Sequence, residues 1–361
     1  MTGRLAFIDW ARGIAVLLMI HGHVLDAWTR DQDRTTRAFS QLTIVGGFAA
    51  PAFLWLAGLS LILAAEQKRA RGRSRLEVTE ALVKRGLEVF ILAFLFRLQA
   101  FVISPGGSPL KLFRVDILNI MGLGLVMAGL VWGASRTGTI AAIAFGLLAA
   151  ASALGTPPLR SADWVALVPT WLSWYLRPMA DHTTFTGFPW WGFVFAGGAA
   201  GVAVARAWQR STLPRVMLLL GTSGALLVAL GLYTASRPSI YEVSSFWTSS
   251  PTYFAIRAGL VPLGLAACYG AWRLPGLTGL GGPVGGVLAR LGQSSLFVYW
   301  IHVELVYGTV ASGLRHALAL WQVEAAFVAF SAAMYAAVVL RDRLVVWWHT
   351  FAQFGRMTKS V

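Results

Sequence analysis

Arg4-Leu5-Ala6-Phe7-Ile8-Asp9-Trp10-Ala11-Arg12-Gly13-Ile14-Ala15-Val16-Leu17-Leu18-Met19-Ile20-His21-Gly22-His23-Val24-Leu25-Asp26-Ala27-Trp28 is a largely apolar block that carries Asp9, Arg12, His21, His23 and Asp26 in its interior. A bilayer's hydrocarbon core is crossed by about 20 apolar residues in helical form, and this block has that length. Blocks of the same kind recur along the chain. Ten spans are expected, near 6–28, 42–65, 87–104, 115–133, 138–154, 188–207, 214–233, 253–271, 293–311 and 323–340. Of the 361 residues, 57% are hydrophobic and 12% charged, with mean hydropathy +0.65. A soluble domain is roughly 25% charged, so a soluble globular protein and a disordered chain are both excluded. A transmembrane β-barrel alternates polar and apolar residues, which Ile140 to Leu154 does not do. The fold class is all-α: a polytopic integral membrane helix bundle of about ten transmembrane helices, read as one domain over residues 1–361.

The net charge of +15 falls between the apolar blocks. With both termini cytoplasmic, Lys and Arg favour the inner segments about two to one, as the positive-inside rule asks. No nucleic-acid motif accompanies the charge, so a nucleic-acid partner is not expected. The single cysteine, Cys268, excludes an intramolecular disulfide and a Cys-based metal cluster. Gly281-Gly282-Pro283-Val284-Gly285-Gly286 lacks a following Lys-Ser/Thr and is not a P-loop; a flexible cytoplasmic loop is expected there. The first span carries Asp9 and Arg12 early and lacks a small-residue cleavage site, so it reads as retained. Gly197-Gly198-Ala199-Ala200-Gly201 reads as a small-residue helix contact. Trp164 to Leu176 is expected either as an amphipathic helix along the outer interface or as an ordered lid.

A charge in hydrocarbon costs roughly 2.5–3.5 kcal/mol on insertion scales and usually faces a cavity or a partner. That singles out the five groups of the first span, with Glu88, Arg97, Asp116, Arg257, His302 and Glu304 in later ones. At about 100° per residue, Arg12 and His23 lie within about 20° of each other, separated by about 16 Å along the axis. Asp9 and Asp26 flank them, and His21 falls on the opposite face. Such a stripe suits a long anionic molecule entering from the cytoplasm. Arginine is a fixed cation matched to phosphate, and a neutral histidine deeper in can take a proton from a hydroxyl or amine. Asp26, one turn beyond His23, is expected to hold its imidazole. The alternative is an Asp9–Arg12 pair at the interface with His23 hydrogen-bonded inside the bundle. In the ninth span Tyr299 and His302 are neighbours at i,i+3, and Glu304 lies against Trp300 at i,i+4. Arg97 and Arg257 either neutralise Glu88, Asp116 or Glu304, or line an anion pocket.

The opening Arg4 to Ala15, followed by Met19 and His23, resembles the membrane acyltransferases related to heparan-α-glucosaminide N-acetyltransferase. More loosely, it resembles the acyltransferase-3 family of sugar O-acyltransferases. Phe48 to Gly58, Val115-Asp116-Ile117-Leu118-Asn119-Ile120-Met121-Gly122, Phe188 to Gly192, Phe246 to Pro251 and Gly292 to His302 extend the resemblance over most of the chain. It implies transfer of an acyl group, usually acetyl, from cytoplasmic acyl-CoA to a hydroxyl or amine of a carbohydrate or glycolipid acceptor across the membrane. Catalysis is assigned to His23 and Asp26, as general base or as transient acyl carrier, with the general base preferred. Acyl-CoA, a co-substrate with no metal, is expected at Arg12, Asp9, Arg97 and Arg257, its pantetheine arm threading a tunnel along the first span. Asn119, Asp116, Tyr299, His302 and Glu304 are substrate-facing or structural polar groups. The family's histidine in the outer segment after the first span has no counterpart, since residues 29–41 contain none; His182 ranks below His23 as a substitute. The expected location is the bacterial inner membrane among its lipids, with a homodimer left open. The rival reading is a transporter or flippase with spans broken around Pro51, Pro189 and Pro262.

Overall fold

In lipid each backbone N–H and C=O must be satisfied within its own segment, so the apolar blocks fold as helices. The computed structural model of the chain describes residues 4–103, 108–274 and 283–357. It is 82% helical, with no strands among the described residues. The helices are α1 (Ala6–Trp28), α2 (Arg37–Gly46), α3 (Ala49–Ala70), α4 (Arg75–Ile103), α5 (Ile117–Ala134), α6 (Gly138–Leu154), α7 (Thr156–Ser161), α8 (Thr170–Leu176), α9 (Gly187–Gln209), α10 (Leu213–Ala235), α11 (Pro251–Arg273), α12 (Pro283–Gln293), α13 (Ser295–Tyr307) and α14 (Leu320–Met357). Among the described residues eight helical segments are long and apolar enough to cross a membrane; α6 and α13 are apolar but shorter. The chain is an all-α polytopic membrane helix bundle; eight of the ten expected blocks each fall on one helix, and those at 42–65 and 293–311 are divided between helices. At 13 residues, α13 spans about 20 Å, less than a bilayer core of roughly 30 Å.

Four local expectations need correction. The block at 42–65 is not one helix: α2 ends at Gly46 and α3 begins at Ala49. Gly46 sits where α2 meets α1, and a methyl group on it would lie 2.8 Å from the Gly22 Cα. Trp164 to Leu176 forms no continuous amphipathic helix, because Pro169 separates a 3-10 turn at Asp163–Ala166 from α8. Gly285 and Gly286 belong to the first turn of α12 rather than a loop, while Gly281 and Gly282 lie outside the described residues. Glu88 is exposed and pairs with Arg85 at 3.2 Å on the same face of α4, so neither Arg97 nor Arg257 neutralises it.

The helices pack as two compact units. The first comprises Met1–Ile8 and Ala50–Leu274, the second Asp9–Ala49 and Pro275–Val361. Within the first, glycines bring backbones together, as small residues do in membrane bundles. A methyl on Gly197 would strike the Trp55 carbonyl, and one on Gly201 would lie 2.7 Å from that of Leu59, so the small-residue run does seat α9 on α3. Within the second, α1 runs against α12, α13 and α14. Its C-terminal end is tied down by Trp28 Nε1 donating to the Val306 carbonyl at 3.2 Å and Arg30 N donating to Leu318 at 2.9 Å.

Candidate active site

The second unit brings two histidines together from opposite ends of the sequence. His23 projects from α1 and His302 from α13, with His23 Nδ1 2.8 Å from His302 Nε2. The rings lie parallel within 3°, with centroids 5.0 Å apart. His302 is 0% exposed, and its Nδ1 sits 2.8 Å from the Val298 carbonyl one turn back. A carbonyl oxygen only accepts, so His302 Nδ1 carries the proton and, in the neutral ring, Nε2 is bare. That bare nitrogen accepts, so His23 Nδ1–H donates to it. The relay leaves the lone pair of His23 on Nε2, the atom a general base needs. His23 itself is half-buried, whereas its partner is sealed.

Tyr307 completes the surroundings. Its ring meets that of His23 edge-on, centroids 5.5 Å apart, and its hydroxyl donates to Asp26 Oδ2 at 2.9 Å. Asp26 also faces the Arg34 guanidinium at 3.8 Å, and Arg34 donates to the Asp26 carbonyl. The expectation that Asp26 orients His23 is therefore corrected: His302 holds that nitrogen, and Asp26 turns towards solvent to take Tyr307 and Arg34. Tyr299 lies edge-on to His302 with centroids 6.0 Å apart, as its i,i+3 spacing implies. Glu304 closes the last turn of α13, its carbonyl accepting from Gly308 N at 2.8 Å.

Opposite them, His21 points away from this cluster. Two residues along a helix turn the side chain by about 200°. His21 Nε2 accordingly meets Glu324 Oε1 of α14 at 3.0 Å. At the other end of α1, Arg12 lies 3.5 Å from Asp9, which also accepts from Gln293 Nε2 at 3.2 Å. Here α1 and α12 touch backbone to backbone. A methyl on Gly13 would strike the Leu288 carbonyl, and one on Gly292 the Asp9 carbonyl. A pantetheine arm has no passage through that seam, so the expected tunnel does not run between α1 and α12.

A family model described as heparan-alpha-glucosaminide N-acetyltransferase, catalytic, matches residues 4–235. The chain belongs to this family. No curated protein matches it. As a member of the heparan-alpha-glucosaminide N-acetyltransferase family, the chain is a membrane transferase. The matched region contains His23, whereas His302 lies beyond it.

In the first unit of this transferase Arg97, Asp116 and Asn119 hold one another. Arg97 Nη2 meets Asp116 Oδ2 at 2.6 Å, tying the end of α4 to the start of α5. Asp116 caps α5: its carboxylate accepts from Ile117 N at 2.7 Å while its own N–H donates to Asn119 Oδ1 at 3.0 Å. Asn119 is buried and also bonds Tyr175, whose phenol is pushed up by burial and drawn back by that bond. Asp116 and Asn119 thus build a capping box, and the Arg97 charge is met by Asp116. Arg257 has no such carboxylate, and its guanidinium lies over the Tyr253 ring. His182 stacks on Trp174 with centroids 4.5 Å apart and planes within 3°. Among the described residues no three His, Cys, Asp or Glu side chains form a metal-binding group.

Two contributors escaped sequence reasoning. Glu324 carried a signal, since it is the one charged residue between Leu320 and Leu340, and the rule that singles out Glu304 applies to it equally. Tyr307 carried none, because a tyrosine near the end of an apolar helix is ordinary.

Proposed function

We propose that the chain is an integral membrane acetyltransferase. In this reading it moves an acetyl group from cytoplasmic acetyl-CoA to a hydroxyl or amine of a carbohydrate-type acceptor on the far side of a bacterial inner membrane. On the expected arrangement of ten spans with both ends cytoplasmic, His23 lies towards that far side. The observation that carries the reading is the His23–His302 pair, which presents a neutral imidazole nitrogen inside a membrane bundle.

In the proposed reaction His23 Nε2 takes the proton of the acceptor O–H or N–H as the oxygen or nitrogen attacks the thioester carbonyl. The C–S bond then breaks, and the thiolate of CoA leaves and recovers the proton from His23. The imidazolium formed in between keeps its Nδ1–H on His302, which acts as a positioning residue and touches neither substrate. Arg12, close to the cytoplasmic end of α1, supplies positive charge for the donor phosphates. The thioester reaches His23 along a side of α1 other than its seam with α12.

The test uses proteoliposomes with labelled acetyl-CoA outside and glucosamine inside. N-acetylated glucosamine accumulating inside, with one CoA released per product and formation at least about 100-fold slower in His23→Ala, is the expected result. Unmodified substrate crossing the membrane without CoA release would instead identify a transporter.

A further inference from the structure

Arg257 stands in the second turn of α11, in the first unit, and no described carboxylate lies within ion-pair range of it. Its guanidinium carbon is 3.8 Å from the centroid of Tyr253 and 5.6 Å from that of Trp190. Its Nε is sealed from solvent and has no acceptor. The residue as a whole is half-buried, so part of the guanidinium remains within reach of a ligand. Cation–π contact offsets some of the cost of holding such a charge away from water, and the Tyr253 hydroxyl also bonds the guanidinium, but neither meets its Nε.

The segment leading into α11 gathers further groups of the same character. The Tyr253 ring packs against Phe246 at 5.1 Å and Trp247 at 5.0 Å. Beside them Thr248 accepts a hydrogen bond from Arg160 Nη1 at 3.2 Å. Arg160 also has a sealed Nε without an acceptor and no described carboxylate in range. Two guanidinium groups without a described carboxylate partner thus border one short segment. Trp247, 52% exposed, adds a flat apolar face next to them.

We propose that this Arg257–Arg160 cluster is a binding site for a phosphate-bearing ligand. Arginine's planar fork matches phosphate oxygens two at a time. A phosphate monoester carries up to two negative charges and a phosphodiester headgroup one, and either meets two cations that have no described carboxylate in range. The exposed indole provides a surface for the group that the phosphate is attached to. The ligand comes either from water, as a sugar phosphate, or from the membrane, as an anionic phospholipid headgroup. The proposal is independent of the chemistry at His23.

The experiment uses the full-length protein in phosphatidylcholine nanodiscs and reads tryptophan fluorescence, since Trp190 and Trp247 border the cluster. Glucose 1-phosphate is titrated against glucose, and a second set of discs contains phosphatidylglycerol. The expected result is a saturable change with glucose 1-phosphate or with phosphatidylglycerol and none with glucose. In Arg257→Gln the apparent affinity should fall at least about tenfold. Arg257→Lys, which keeps the charge and gives up the fork, guards against misfolding and should weaken binding less. Arg237→Gln, at an exposed arginine, should bind as wild type. A response to glucose 1-phosphate marks a water-borne ligand, and a response to phosphatidylglycerol alone marks a lipid headgroup. No response to either probe, or an unchanged response in both Arg257 variants, overturns the proposal.

Discussion

His21 and His23 are separated only by Gly22, yet their surroundings give them opposite chemistry. His21 is 6% exposed, its Nε2 bonds a carboxylate on α14, and its ring lies edge-on to Phe327 with centroids 5.1 Å apart. Its Nδ1 is sealed with no partner and its Nε2 is taken by Glu324, so neither nitrogen is open to a substrate. His23 faces α13, is half-buried, and has a neutral base for its partner. A carboxylate partner takes the N–H of the nitrogen that faces it and locks the ring in place. A neutral imidazole partner fixes the tautomer and leaves the far nitrogen basic. Helical rotation alone assigns one histidine to each role.

The comparison breaks most readily at His23. His23→Ala should lower acetyl transfer by about 100- to 10,000-fold, the usual reach of a general base. His21→Ala, assayed in the same proteoliposomes, should keep its turnover while melting at a lower temperature. Equal loss of transfer in both variants would remove the distinction between the two faces.

His302 sharpens it next. His302→Leu removes the acceptor for His23 Nδ1–H, and loss of such an orienting partner typically costs about 10- to 100-fold. His302→Gln can still accept through its amide oxygen and should recover part of the rate. A purely packing role for His302 would rank the isosteric but apolar leucine above glutamine, and the ratio of the two kcat values decides.

Packing comes third. Gly13→Ala forces a methyl against the Leu288 carbonyl and should destabilise by about 1–3 kcal/mol, as overpacking does. Gly146→Ala, where nothing lies within 4 Å, should leave the melting temperature unchanged or raise it. Glu324→Gln, which weakens the hold on His21, should cost about 1 kcal/mol in thermal unfolding without touching turnover.

The smallest effect concerns acid. Asp33 accepts from Arg30 and from Leu320 N, and these bonds hold its carboxyl below its ordinary value of 3.8. A depressed carboxylate stabilises the folded state above its unfolded pKa, and the contribution disappears as pH falls through the folded pKa. Wild type should therefore lose a small increment of stability below about pH 4 that Asp33→Asn lacks, visible as converging melting curves.

Apolar blocks made the helices legible, because bilayer thickness dictates their length. The break at Gly46 was not legible, since the close approach of Gly22 there comes from another helix. The stripe on α1 and the opposite placement of His21 followed from rotation alone. Which groups those faces meet did not follow, because His23 and His302 are 279 positions apart and no periodicity links them. Spacing misled at Asp26: an i,i+3 neighbour shares a face, but its carboxylate can turn away, and here Tyr307 and Arg34 turn it.

The direct test of the His23 relay is histidine nitrogen NMR on the full-length protein in nanodiscs, with His23 assigned by comparison with His23→Ala. At neutral pH the expected spectrum shows His23 protonated on Nδ1 and bare on Nε2, with the Nδ1 signal moving in His302→Leu. A proton on Nε2, or a His23 signal indifferent to His302, would contradict the relay and with it the assignment of His23 as the base.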